Sequence, residues 1–336
     1  MADSYFVDPA ELAWQDETPF SETYQDIYWS SHADSPLSEK QAVFVDPVQT
    51  MARRCKPGST MTVCELGFGF GINCLLTADM WHDLPPDSRL NFISIEKHPV
   101  RKQDLAQMLS TFEFSSGERL LAQYPPHYRG QHVIWLSSNV RLLLIFDDID
   151  DALGNLDAEV DLWFLDGFAP SKNEAMWQPA IYRKMFSRSR HGAEVATYSA
   201  AGAVKRGLEY AGFTTRKIDG FGRKNEMLSA KRPGNWQPTQ SPRDAITILG
   251  AGLAGIFCAE ALTRRGIDFQ ILDGGNPGPS TIPQLAVMPQ LALASEPRYR
   301  FSFAACHYMQ SAPGYYKTGV HRWGQDDEEI LRLQQI

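Results

Sequence analysis

The chain of 336 residues has no apolar run approaching the ~18 residues that a membrane-spanning helix requires, so a helical membrane protein is excluded. Its opening, "MADSYFVDPAELAW", has no basic segment followed by an apolar one, and no secretory signal is expected. Cysteines are few and odd in number: Cys55, Cys64, Cys74, Cys258 and Cys306. None pairs as C-x-x-C, which argues against a cysteine zinc site and a disulfide framework; no metal is expected, and a reduced, cytoplasmic setting fits. Internal repeats and low-complexity tracts are absent. The net charge of −8 rules out a surface coated in basic charge.

Basic charge is nevertheless concentrated in one place. Residues 183–232 hold twelve Lys or Arg, from Arg183 to Arg232 and including Arg223 and Lys224, against four acids. Such a block suits a phosphate backbone, and it equally suits solvated helix faces.

Apolar runs alternate with helical stretches over 60–218: "TMTVCEL", "LNFISIE", "HVIWLSS", "VRLLLIFDD", "VDLWFLDG" and "AEVATYSA", with a last strand near 213–218. Repeated β-α units imply an α/β fold with a doubly wound, Rossmann-like parallel sheet. A hairpin is expected around Ser138–Asn139. Ligands of such sheets bind at the carboxyl ends of strands, where Glu65, Glu96, Asp148 and Asp166 fall. Residues 1–59 precede the first sheet strand and read as an N-terminal cap within a domain spanning 1–232. The Pro- and Gln-rich stretch 233–244 reads as a linker, and 245–336 as the beginning of a second domain.

Two glycine clusters differ in kind. The first, Glu65-Leu66-Gly67-Phe68-Gly69-Phe70-Gly71, is preceded by an acid. A carboxylate there repels pyrophosphate but suits a ligand with an ammonium end, such as S-adenosylmethionine. Glu96, ending the next strand, can accept both ribose hydroxyls, and Asp148 with Asp147 can reach an adenine amino group. The alternative is a plain tight turn with surface acids.

"DLWFLDGFAPSKNEAMW" delivers Asp166 to a strand end ahead of Gly167 and Pro170. An alkylamine has a pKa of about 10 and must lose a proton before it can attack a methyl donor. Asp166 can accept the amine N–H, the carbonyls of Gly167 and Phe168 can orient it, and the face of Phe168 can lie near a cation or a base. The alternative is a strand-end turn whose Asp caps the next helix.

"ELGFGFGIN", "WFLDGFAPSKN", "ATYSAAGAVKRGL" and "GFGRKNEM", with "PFSETYQDIYWS" upstream, resemble the methyltransferase half of the tRNA 5-methylaminomethyl-2-thiouridine biosynthesis bifunctional protein. The resemblance covers nearly all of residues 5–232. It implies methylation of the aminomethyl group on a modified wobble uridine in the anticodon of tRNA. It also implies that Gly67, Gly69, Gly71, Glu96 and Asp148 contact S-adenosylmethionine, with Asp166 and Phe168 at the acceptor. Phe70 departs from the resembling family, whose members often carry a small polar residue there; it can narrow the loop, and the donor contact at this position does not carry over.

The second cluster, Gly250-x-Gly252-x-x-Gly255, follows an apolar strand and opens a helix, and Asp273 ends the next strand. No acid precedes these glycines, so the helix end is open to pyrophosphate and the full dinucleotide pattern is present. In the resembling family this domain is an FAD-dependent oxidoreductase that removes a carboxymethyl group from the same nucleoside. About 80 residues follow Gly255, fewer than a flavoprotein oxidase domain takes, and the expectation is that this activity is crippled by truncation. Two other readings compete with the methyltransferase. One is a flavin oxidoreductase whose N-terminal half positions RNA, and the other is a tRNA-binding protein without catalysis.

Overall fold

The computed structural model describes residues 5–15, 18–29, 36–84, 87–221, 226–240, 246–275, 278, 287–289, 297–310 and 315–316. Contacts divide the chain into a larger unit, Val7–His127 with Val133–Ser241, and a smaller one, Met1–Phe6 with Tyr128–His132 and Pro242–Ile336.

The larger unit begins with β1 (Leu12–Gln15), β2 (Thr18–Ser21) and β3 (Asp26–Ile27), a small antiparallel sheet. Next come α1 (Pro36–Lys40), a π-helical turn (Gln41–Val45) and α2 (Asp46–Ala52). The alternating part follows: β4 (Ser59–Leu66), α3 (Ile72–Trp81), β5 (Arg89–Glu96), α4 (Lys102–Thr111), α5 (Gly117–Gln123), β6 (Gly130–Trp135) and β7 (Val140–Phe146). It continues with α6 (Ile149–Asn155), β8 (Val160–Leu165), a 3-10 turn (Glu174–Trp177), α7 (Pro179–Arg188) and β9 (Ser189–Thr197). α8 (Gly202–Ala211), β10 (Thr214–Asp219), β11 (Glu226–Lys231) and the two-residue β12 (Thr239–Gln240) complete it.

The main sheet runs β10-β11-β9-β8-β4-β5-β7-β6, with β12 paired to β4. β4, β5, β7, β8 and β9 are mutually parallel, as the alternation predicts. β11 departs from the all-parallel expectation: it lies antiparallel between β9 and β10. Its sequence, "EMLSAK", is too short and mixed to read as a strand alone, and it forms because its neighbours supply ladder partners on both sides.

Both faces of the sheet are covered. Met61, Val63, Phe92, Leu142 and Phe164 pack with α3 through Leu75 and Trp81. Cys64, Ile93, Ile95, Trp163 and Leu165 pack with α7 and α8 through Ile181, Met185 and Leu208. β8 is buried at every position, which explains why five of its six residues are apolar; the exception, Asp161, accepts from Thr62 N–H and Trp236 Nε1–H. Fully burying each such side chain contributes about 1.5–3 kcal/mol, enough in sum to fix the strand ends that carry the polar residues.

Residues 233–240, expected to begin a linker, pack into the larger unit. Trp236 is 1% exposed, its indole Nε1 donates to Asp161 Oδ1 at 2.8 Å, and Arg54 lies over its ring. Residues 241–244 of the expected linker lie outside the described residues.

In the smaller unit, β13 (Ile246–Leu249), α9 (Leu253–Arg264) and β14 (Phe269–Leu272) form one parallel β-α-β unit, followed by α10 (Pro297–Met309). Among the described residues no helix is long and apolar enough to cross a membrane, and no group of His, Cys, Asp and Glu could hold a metal.

Candidate active site

β4 and β5 run on to β7 in one direction, and β4 runs on to β8 in the other. The crevice at such a reversal is where a doubly wound sheet leaves room for ligands. A cavity of about 390 Å³ opens there, lined by the loops that follow β4, β5, β7 and β8. Gly67, Gly69, Glu96, Asp148, Asp166 and Phe168, expected from separate motifs, all line it. Gly71 does not; it caps α3 from a left-handed conformation at φ +73°. A Cβ at Gly71 would stand 2.4 Å from Phe68 Cζ, so only glycine closes this turn. Gly67 (φ +94°) is where two motifs meet: its missing Cβ would lie 3.0 Å from the carbonyl oxygen of Asp166.

Glu96 receives Gly69 N–H at Oε2 (2.9 Å) and His98 N–H at Oε1 (2.8 Å). It therefore ties the glycine loop to the end of β5, and each oxygen keeps a lone pair for a hydroxyl. Burial, the largest influence, raises its pKa, while these N–H bonds act in the opposite sense. Asp148 caps α6 by accepting from Asp150 N–H (3.0 Å) and pairs with Lys97 (3.0 Å). It thus caps a helix while also facing the cavity. Asp147, beside it, is 5% exposed and lines the cavity too.

Glu65 corrects one expectation. The acid ahead of the glycines does not reach the cavity: it is 1% exposed, and Asn73 Nδ2 (2.8 Å) and Ser94 Oγ (2.7 Å) donate to its two oxygens. Burial, and then the charge of Asp166, push its pKa up to about 8. Its influence reaches the cavity through Asn73, whose Nδ2 also donates to Asp166 Oδ2 (2.6 Å).

Asp166 is further held by Lys40 of α1, which pairs with the same Oδ2. The carbonyls of Gly167 and Phe168, expected to orient an amine, already accept bonds from Tyr198 Oη–H and Trp177 Nε1–H respectively. These bonds shape the loop and leave each carbonyl oxygen a second lone pair. Burial first, then Asp166, Asp26 and Glu39, keep the Tyr198 hydroxyl protonated by raising its pKa. The ring of Phe168 stacks on Tyr24 at 4.8 Å and meets Tyr28 edge-on at 5.1 Å. Phe70, expected to narrow the loop, is among the residues that line the cavity. It is 2% exposed and turned into a cluster with Trp14, Tyr28 and Trp29.

Lys40, Asn73, Tyr24, Tyr28 and Tyr198 were not among the expected site residues. Asn73 stands two positions after Gly71, at the start of a helix facing the loop, and position alone marks it. The others come from elements remote in sequence.

The basic block is largely occupied internally. Lys184 pairs with Asp150, Arg190 with Glu159 and Asp161, Lys217 with Glu226, and Lys231 with Glu194. Arg188 and Arg232 donate to backbone carbonyls. Arg223 and Lys224 lie outside the described residues.

In the smaller unit, Gly250 takes φ +98° and Gly252 precedes α9. A Cβ at Gly255 would meet Gly250 O at 2.0 Å. Asp273 accepts from Ala251 N–H and Gly275 N–H, both 2.9 Å, which lowers its pKa. The loop, the helix start and the strand-end acid thus stand together.

A family model described as S-adenosyl-L-methionine-dependent methyltransferase matches residues 113–233. The tRNA 5-methylaminomethyl-2-thiouridine biosynthesis bifunctional protein MnmC of Maricaulis maris is 36% identical, over 98% of this chain and 58% of the relative. The protein of the same name from Chromohalobacter salexigens is 38% identical, over 98% of this chain and 51% of the relative. The chain spans about half the length of the curated relatives it matches. The crystal structure of MNMC2 from Aquifex aeolicus shares the fold, with a TM-score of 0.53 and 21% identity over 69% of this chain and 73% of that one. Over nearly all of its length the chain is thus a homologue of part of the tRNA 5-methylaminomethyl-2-thiouridine biosynthesis bifunctional protein MnmC, and it contains an S-adenosyl-L-methionine-dependent methyltransferase domain.

Proposed function

We propose that the larger unit methylates the aminomethyl nitrogen of 5-aminomethyl-2-thiouridine at the wobble position of tRNA, giving 5-methylaminomethyl-2-thiouridine. The observation that carries this reading is the single cavity into which Glu96, Asp148, Asp166 and Phe168 converge. Its residues fit S-adenosylmethionine: carboxylates for hydroxyls and an amino group, a glycine turn permitting close approach, and an unpartnered buried acceptor at Asn73 Oδ1. When bound, the donor supplies a methyl group on a sulfonium centre. Glu96 and Asp148 hold its ribose and adenine ends, with Gly67, Gly69 and Gly71 shaping the loop beneath.

Asp166 is the residue for the acceptor. Lys40 and Asn73 both bind Oδ2 and fix the carboxylate, so that Oδ1 can receive an amine N–H and aim the nitrogen lone pair. Phe168 and Tyr24 offer ring faces beside it. In the smaller unit, Gly250, Gly252, Gly255 and Asp273 have the arrangement that holds the ADP end of FAD, the cofactor of the family's second activity. The setting we assign is the cytoplasm, where tRNA is modified, and the contacted region of tRNA is the anticodon arm.

The test is mass spectrometry of wobble nucleosides after incubation with aminomethyl-bearing tRNA and S-adenosylmethionine. A product one methyl heavier on the amine is expected. An unchanged nucleoside, with tRNA still bound, would return the larger unit to a binding role.

A further inference from the structure

Asn73 has one polar atom, Oδ1, to which the proposed function assigns no particular ligand group. The side chain is 2% exposed, and its amide nitrogen spends both hydrogens, one on Glu65 Oε1 at 2.8 Å and one on Asp166 Oδ2 at 2.6 Å. Asp166 is already paired with the Lys40 ammonium, so it needs a donor from Asn73. Reversing the amide would set Oδ1 against that carboxylate, and the orientation is thereby fixed. Oδ1 is then left buried without a hydrogen-bond partner, on a residue that lines the cavity. Buried acceptors are rarely left unmade, and an orphan in a ligand cavity marks a place for a donor.

The surroundings select the donor. Asp26, Glu39, Glu96, Asp147, Asp148 and Asp166 line the same cavity against two lysines, Lys40 and Lys97, each paired with one of these acids, so the lining keeps an excess of acids and a cationic N–H is favoured over a neutral hydroxyl. We propose that Asn73 Oδ1 accepts an N–H from an amine nitrogen of a bound ligand. This rests on the methyl-transfer reading, in which two amines enter the cavity: the α-ammonium of the donor and the acceptor amine. The chemistry at Oδ1 is the same for both, and experiment separates them.

Calorimetry compares S-adenosylhomocysteine with its analogue lacking the α-amino group, on the unaltered protein and on Asn73→Ala. Steady-state methylation of aminomethyl-tRNA at saturating donor is measured on both proteins. If Oδ1 holds the donor's ammonium, Asn73→Ala weakens S-adenosylhomocysteine on the order of tenfold and leaves the analogue unchanged. If it holds the acceptor, both ligands bind as before, and kcat/KM for tRNA falls by a similar factor. The proposal is overturned if neither quantity moves. It is equally overturned if S-adenosylhomocysteine and its analogue weaken alike, which would mean a collapsed loop. Should Asn73→Ala fail to fold, Asn73→Ser, which also lacks the amide oxygen, carries the same comparisons. An unaltered protein that binds no S-adenosylhomocysteine would remove the methyl-transfer reading itself. Normal binding with unmoved variants removes this inference alone.

Discussion

At the scale of single residues, the chain's acids divide by burial. Glu65 is sealed under α3, and its pKa rises from the ordinary 4.5 to about 8, chiefly through burial. Between those values the folded chain keeps a proton that the unfolded chain has released. The stabilising contribution is therefore full below the window and declines as pH rises through it. Glu65→Gln mimics the protonated form, so the variant's thermal midpoint should stay flatter than the parent's from about pH 5 to about pH 8. Parallel melting curves for the two proteins would contradict this. Asp166 lies on the other side of Asn73 and faces the acceptor in the proposed reaction. Asp166→Asn keeps the shape and the contact with Lys40 but loses the charge. A fall in single-turnover rate on the order of 10²-fold is expected, with donor affinity retained.

At the scale of elements, the strand ends were legible in sequence, because an apolar strand closed by an acid or a glycine turn is a local pattern. β4, β5, β7 and β8 therefore pointed to Gly67, Glu96, Asp148 and Asp166 directly. The wall opposite was not legible. Tyr24, Tyr28 and Lys40 come from β2–β3 and α1, whose short segments have no periodicity and acquire their places only by packing. The part played by Glu65 was misread for a related reason. The strand's alternation sends it to the α3 face among Met61 and Val63, and sequence could not tell which face would be sealed. Glu96 joins two elements, since its oxygens hold the backbone of Gly69 and of His98. Glu96→Ala should weaken S-adenosylmethionine by about 2–3 kcal/mol in calorimetry, through lost hydroxyl contacts and a loosened loop. Unchanged affinity would place the ribose elsewhere.

At the scale of the whole molecule, the larger unit is closed by its last residues. Trp236 fills a gap beside Gly192, where a Cβ would meet Trp236 N at 2.2 Å. Burial raises the pKa of Asp161 to about 6, while Thr62 N–H, Trp236 and Arg190 favour its charged form. A chain ending at residue 232 would lose the buried indole, a loss of about 3–5 kcal/mol by analogy with large-to-small core substitutions. A chain ending at residue 241 keeps it and should melt well above the shorter one. Equal melting temperatures in a thermal scan would show that the closing segment is dispensable.

The cluster around Phe70 gives the protein an optical property. Trp14 and Trp29 stand 5.9 Å and 5.1 Å from the Phe70 ring, so two indoles are seated against the glycine loop itself. Any ligand that settles on Gly69 must adjust the packing of the neighbouring side chains. Their emission is thus a reporter of occupancy that needs no attached dye. Titration with S-adenosylhomocysteine should shift or quench it along the same isotherm as calorimetry, and Trp29→Phe should remove much of the signal while leaving the affinity in place.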